Sequence, residues 1–359
     1  MTDPRSIFVP GRVNLIGEHI DYHGLPVLPI AMQRGIHVAW RTREDRRVSA
    51  VSEPYGRCEF ELSPGLAPAA PGDWQNYVRS AAMVAQSSWE IRRGIDAAVT
   101  SDLPAAAGVS SSTALLVAFT LALLRANGHS PTFEELMRLL PDGEQFVGTR
   151  GGGMDHAAVL GSRAGCASLI EFEPVRLRPI KIPDDWSILI AHSLVTAEKS
   201  GAAREHYNAR RAAGVAALRT LGVRSYGEAV SASSEKLTEE DQRDAFLHVT
   251  SEARRVREAV AAMERADAGA FGSLLRESHA SLRDRLKVSC PALDHLVDLA
   301  GTARLTGAGF GGFVVIFCAK RDRPRIRQRL IDSFYSKQPT FQEDQHLLDA
   351  DAASGALNL

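Results

Sequence analysis

The chain is poor in cysteine, has no long apolar run and carries almost no net charge. Its four cysteines, Cys58, Cys166, Cys290 and Cys318, lie far apart with no CxxC pair. That spacing suggests neither a zinc site nor a disulfide framework and fits reduced thiols in a cytosolic protein. The longest apolar run, Ala114 to Leu124, is broken by Thr120. It falls well short of the about 20 residues a bilayer-spanning helix needs and reads as a buried helix. The opening MTDPRSIFVPGR has no long apolar stretch and is not a signal peptide, so a cytoplasmic protein with no membrane partner is expected. A formal net charge of -1 supplies no basic field to draw the whole protein to nucleic acid or anionic lipid. Internal repeats, low-complexity tracts and the GxxxxGK[ST] phosphate loop are also missing.

What is there is a soluble globular composition, 45% hydrophobic and 24% charged over 359 residues, enough for two domains of ordinary size. The richest stretch is GRVNLIGEHIDYHG, residues 11–24. Val13 and Leu15 alternate with Arg12 and Asn14, the period-2 pattern of a half-buried strand. Glu18, His19 and Asp21 follow on a loop or turn. Two carboxylates and an imidazole beside an arginine are costly to hold together unless they bind something polar.

Short strands are expected around Ile7–Leu15, Ile36–Arg41, Arg47–Ser52, Cys58–Leu62 and Ile95–Val99, with a helix over Trp74–Gln86. The Pro/Ala/Gly-rich stretch Gly65–Asp73 reads as a surface loop. PAAAGVSSS, residues 104–112, precedes the apolar helix. Small residues and serines at a helix start present N–H groups and a favourable dipole to phosphate, and a serine hydroxyl can ligate Mg²⁺. The bland alternative is a serine N-cap on a core helix. In GTRGGGMDH, residues 148–156, three glycines allow close backbone approach to a ligand. Asp155 either faces that space or caps the next helix. LTGAGFGG, residues 305–312, is a third glycine cluster, before a buried strand. Val249, Ala253, Val256, Val260 and Met263 step by four and three, one helical face that reads as core. The domain boundary is placed near residue 170, giving 1–170 and 171–359, with the last residues returning to the first domain.

Residues 11–24 resemble the sugar-recognition segment of galactokinases, within the GHMP small-molecule kinases. Residues 104–112 resemble that superfamily's phosphate loop, residues 152–155 the galactokinase GxMD segment, and residues 305–312 its third motif. The resemblance runs in family order from residue 8 to the C-terminal ASGALNL. It implies an α+β, two-domain GHMP kinase fold: an N-terminal ribosomal-protein-S5-like α/β domain and a C-terminal ferredoxin-like α+β domain, with the active site between them. It also implies transfer of the γ-phosphoryl of ATP to the anomeric hydroxyl of galactose, with Mg²⁺, by a monomeric cytoplasmic enzyme.

Residue by residue, the resemblance assigns Arg12 and Asp155 to catalysis, and Glu18, His19, Asp21, Gly152 and Tyr207 to the sugar. Trp74 and Tyr77 go to the adenine side, and Ala106, Ala107, Gly108, Val109, Ser110, Ser111 and Ser112 to ATP. Ser112 and Glu144 go to Mg²⁺, Glu144 standing one residue out of the family's register. Four features depart from the family: Ala106 and Ala107 replace glycines, His156 replaces glutamine, Gly151 and Gly153 surround the GxMD position, and Tyr22-His23 replaces Tyr-Asn. A kinase for N-acetylgalactosamine, arabinose or another sugar is therefore an alternative, as is a non-catalytic sugar- and ATP-binding sensor. A mevalonate or homoserine kinase is disfavoured by Glu18 to Asp21.

Overall fold

The computed structural model describes residues 5–104, 108–146, 152–196 and 202–357. Its first half is built on strands β1 (Arg5–Asn14), β2 (Pro29–Thr42), β3 (Arg47–Ser52) and β4 (Gly56–Glu61), then helix α1 (Gln75–Ser88) and strand β5 (Ile95–Ser101). The sheet order is β1-β2-β5-β3-β4. β1 runs antiparallel to β2 from Arg5↔Trp40 to Asn14↔Pro29, with an irregularity between Pro10 and Arg12. Such a break re-aims side chains, and here it immediately precedes Arg12. Helices α2 (Ser111–Ala126), α3 (Phe133–Phe146) and α4 (Met154–Gly161) follow. The apolar run of α2 is buried along almost its whole length.

β1 is not the half-buried strand its alternation suggests. From Val9 to Asn14 every residue is buried. α2 and α4 pack on it, while its last carbonyl, on Asn14, is met by Arg304 and Thr306 from the second half. Polar residues can sit at the alternate positions because they find partners there.

A hairpin of β6 (Cys166–Glu171) and β7 (Arg176–Lys181) comes next. It pairs from Cys166↔Lys181 to Glu171↔Arg176 and bridges back to Val27 through Ile170. Residue 170 therefore lies inside a hairpin. The second half holds β8 (Trp186–His192), α5 (Ala202–Leu221), α6 (Glu240–Glu264), α7 (Ala268–Asp284), α8 (Pro291–Ala300), β9 (Ala303–Leu305), β10 (Phe313–Ala319), α9 (Arg323–Ser333) and β11 (Leu347–Asp349). Its antiparallel sheet has the order β11-β8-β10-β9.

The stripe Val249 to Met263 on α6 is buried and belongs to the same apolar core as the first sheet. α8 and α9 cover a second core on the C-terminal sheet. After β11 the chain runs back along the first half: the Ala353 N–H donates to the Ala31 carbonyl at 2.9 Å and the Ala356 N–H to that of Val159 at 2.8 Å. No helix among the described residues is long and apolar enough to cross a membrane.

Candidate active site

The three glycine-bearing segments and residues 11–24 meet where the two halves join. Arg12, at the end of β1, donates Nε and Nη2 to the two carboxylate oxygens of Asp155, at 2.7 and 2.9 Å. Its Nη1 donates to the Gly108 carbonyl at 2.6 Å, and its backbone N–H to the Val109 carbonyl at 3.1 Å. One arginine thus ties the GxMD segment to the phosphate loop.

Burial by itself would raise the Asp155 pKa. The Arg12 charge and hydrogen bonds from Ser110 and Arg12 outweigh it and hold the carboxyl below its ordinary range. Asp155 does not cap its helix. The N-cap of α4 is Gly153, with no side-chain cap, so the capping alternative falls. The serine N-cap alternative falls too. Ser110 occupies the N-cap of α2 in a left-handed conformation, φ 62, without capping it, and its hydroxyl donates to Asp155 instead. A non-glycine residue there is strained, a state that clusters at functional sites.

Ser111 and Ser112 open α2, where the first N–H groups have no intrahelical partner. Tyr77 lies beside Ser112 and Glu144, and burial raises its phenol pKa. Glu144, on α3, accepts from the Thr113 hydroxyl at 2.6 Å. The one-residue offset in sequence therefore still brings Glu144 to the start of α2. Tyr77 lies at the serines, and Trp74 donates to the Tyr55 carbonyl at 3.0 Å. Ala106 and Ala107 lie outside the described residues, as does Gly151.

The polar segment forms the facing wall. Asp21 Oδ2 accepts from the Gly152 N–H at 3.1 Å. Burial, then the charges of Asp155 and Glu18, push the Asp21 carboxyl up to about 7. Gly152 is required for this contact. A Cβ there would meet Asp21 Oδ2, Asp21 C and Tyr22 N, each at 2.5 Å. His19 Nε2 donates to the Ala308 carbonyl at 3.2 Å, so Nδ1 accepts from the Tyr22 hydroxyl at 2.9 Å. Burial lowers the His19 pKa, which suits this neutral tautomer. Tyr207, on α5, stands with its ring 5.2 Å from His19 and 5.5 Å from Tyr22. Burial raises its phenol well above the ordinary range, keeping it a hydrogen-bond donor.

Glu18 is more occupied than the sequence implies. Oε1 accepts from the Gly307 N–H at 2.6 Å and the Thr306 hydroxyl at 3.1 Å, and pairs with Arg304 at 3.1 Å. Oε2 accepts from Asn14 at 2.6 Å. Behind it, His248 Nε2 donates to the Glu18 carbonyl at 3.0 Å, and Glu252 accepts from the Gly17 N–H at 3.0 Å. Sequence reading missed Arg304, Thr306, His248 and Glu252. Thr306 lies inside the third glycine cluster and Arg304 directly before it, a usable signal. The other two sit on one helix, α6, whose visible pattern is apolar.

His156 turns towards Glu144, with Nε2 3.7 Å from Oε1, and His23 packs on Tyr226 with ring centroids 4.8 Å apart. The two departures thus point to the serine side and to the helix behind the turn.

Comparison with known proteins agrees with this geometry. Residues 2–42 match the galactokinase galactose-binding signature, residues 76–162 the GHMP kinases N terminal domain, and residues 259–337 the GHMP kinases C terminal family. A galactokinase of Actinobacillus pleuropneumoniae serotype 3 (strain JL03) is 32% identical, over 96% of this chain and 93% of that protein. A galactokinase of Roseiflexus sp. (strain RS-1) is 35% identical over 91% and 86%. The crystal structure of Lactococcus lactis galactokinase complexed with galactose superposes with a TM-score of 0.90 at 26% identity, covering 100% of this chain and 96% of that one. Methanococcus jannaschii mevalonate kinase, at 17% identity and a TM-score of 0.71 over 98% and 99% of the two chains, shares the fold alone. With the Arg12–Asp155 pair, the serine-bearing helix start and the polar segment gathered at one junction, the chain belongs to the galactokinase family of GHMP sugar kinases.

Proposed function

We propose that this protein transfers the γ-phosphoryl group of ATP to the anomeric hydroxyl of galactose. The observation that carries the reading is Arg12, which binds Asp155 and the phosphate loop at once. Phosphoryl transfer demands mainly positioning and charge stabilisation. The first turn of α2 offers N–H groups and the positive end of its dipole to the triphosphate. Arg12 stabilises charge on the transferring group. Asp155 accepts a hydrogen bond from the sugar hydroxyl. With its pKa held down it is a weak base, so its main work is orientation. Glu18, His19, Asp21, the Gly152 backbone and Tyr207 read the other hydroxyls. Sites built to hydrogen-bond a hydroxyl reject analogues lacking it by large factors.

Ser112 and Glu144 are the residues that would hold Mg²⁺. A hydroxyl and a carboxylate are hard oxygen donors, and no group of three or more His, Cys, Asp or Glu able to hold an ion occurs among the described residues. That sparse set suits an ion that keeps waters and substrate phosphates as ligands. When bound, Mg²⁺ neutralises charge on the phosphates. A monomeric cytoplasmic enzyme, divided into its two halves after the β6–β7 hairpin, completes the reading.

His156 is buried facing Glu144 and His23 packs on Tyr226, so neither departure replaces a residue assigned to the sugar, which supports galactose as the acceptor. The test is one coupled assay of ADP release with Mg-ATP and a panel of galactose, N-acetylgalactosamine, arabinose, mevalonate and homoserine. Galactose should give the highest kcat/KM. Preference for another acceptor would reassign the substrate, and tight sugar binding without ADP release would make the protein a sensor.

A further inference from the structure

One loop touches both substrates' sites. Residues 305–312 reach Glu18 through the Gly307 N–H and through the Thr306 hydroxyl, whose one proton is shared between Glu18 Oε1 and the Asn14 carbonyl, and reach His19 through the Ala308 carbonyl. At Gly307 the same loop lies against the phosphate loop, where an added Cβ would come 3.5 Å from the Gly108 carbonyl. That carbonyl accepts from Arg12.

We propose that Thr306 and Gly307 are positioning residues that couple galactose binding to nucleotide binding, with Glu18 as the shared contact. The proposal rests on the galactokinase reading above and adds a route between its two sites. Glu18 divides its carboxylate: Oε1 is taken by the loop and by Arg304, while Oε2 accepts, among the described residues, from Asn14. A carboxylate oxygen can accept about two hydrogen bonds, so Oε2 keeps a place for a sugar hydroxyl. The loop's grip on Oε1 aims that place.

The loop itself is expensive to order. Gly307, Gly309, Gly311, Gly312 and Phe310 all have positive φ, and glycine loses the most freedom on being fixed. A phosphate chain seated against Gly108 would pin the loop and so aim Glu18. A sugar on Glu18 would pin the loop and so firm the phosphate site. Each ligand lowers the ordering cost of the other, and linkage makes the two effects equal.

The experiment measures the Kd of galactose with and without a non-hydrolysable ATP analogue plus Mg²⁺, and the Kd of the analogue with and without galactose. In the native protein each ligand should tighten the other by about five-fold or more. Thr306→Val, which keeps the shape and removes the hydroxyl, should bring the factor close to one, and Thr306→Ser should retain it. Hydrogen exchange on the native protein gives a readout independent of any variant. Galactose alone should slow exchange at residues 305–312 and 108–112. Galactose binding with no change in nucleotide affinity, wild-type coupling in Thr306→Val, or unaltered exchange in both segments would overturn the proposal. No galactose binding under any condition would instead overturn the functional reading beneath it.

Discussion

Arg12 and Asp155 form a two-point contact, 2.7 and 2.9 Å, between residues 143 positions apart in the chain. On the proposed reading the pair fixes the carboxylate that would meet the sugar hydroxyl, while the same guanidinium bonds the Gly108 carbonyl of the phosphate loop. Asp155→Asn should lower kcat by about 10²–10³-fold through lost orientation of the sugar hydroxyl, with little change in the KM for ATP. Arg12→Ala should cost a similar factor. The double variant should be far less impaired than the product of the two, because the residues act as a unit. Steady-state kinetics on the three variants check this. Near-native turnover in Asp155→Asn would remove that residue from the mechanism.

Gly152→Ala places a methyl group where Asp21 and the Tyr22 amide already stand, 2.5 Å away. Overpacking of this kind costs about 1–3 kcal/mol. The KM for galactose should rise roughly ten-fold or more, since each 1.4 kcal/mol is a factor of ten, while the KM for ATP stays near native. Parallel titrations of the two substrates show which one moves.

Asp21 sets a pH dependence. Its carboxyl, pushed up to about 7 by burial and by neighbouring carboxylates, is protonated over part of the range in which an unfolded aspartate is ionised. Here the folded state binds more protons than the unfolded one, so this group's contribution to stability falls as pH rises from the unfolded pKa to about 7. Galactose hydroxyls donating to Asp21 favour the ionised form. Galactose affinity should therefore increase as pH rises through about 7, with proton release on binding below it. Calorimetry in buffers of different ionisation enthalpy measures that proton, and Asp21→Asn should abolish it.

Glu252 anchors the turn at Gly17 from α6. Its carboxylate is fully buried and accepts from Gly17, from Ser278 at 2.7 Å and from Arg255 at 2.7 Å. Glu252→Gln leaves Arg255 buried without its counter-charge and should destabilise the fold by about 3 kcal/mol, read as a lower Tm. Burial alone would raise the Glu252 pKa. The charges of Arg255 and its neighbours reverse that and lower it. Its contribution is thus present at neutral pH and lost as pH falls through the folded-state pKa, and the Tm gap between native and variant should narrow in acid.

The sequence made the ingredients visible where chemistry and periodicity coincide. Arg12 and Asn14 alternate with apolar neighbours, the serines stand before an apolar helix, and glycines cluster at three places. What it hid is what depends on distant partners. The alternation in β1 suggests one wet face, yet every residue from Val9 to Asn14 is buried, with α2 and α4 packed on the strand and Arg304 and Thr306 meeting its last carbonyl. Glu18 reads as a free sugar ligand, yet its carboxylate holds Gly307 and Arg304. His248 and Glu252 are lost within the apolar stripe of α6, because a buried polar residue is identified only by the group it bonds. Asp155 is a plausible helix cap in one dimension. Only the fold shows that Gly153 takes that place and that Asp155 faces Arg12.

The most direct test of the account is the position of the transferred phosphate. Galactose and Mg-ATP are incubated with the protein, and the product is examined by phosphorus and proton magnetic resonance. The account predicts a phosphorus nucleus coupled to the anomeric proton of galactose, with one ADP formed per phosphate transferred. Phosphate on any other hydroxyl, or ADP formed without sugar phosphate, would contradict it.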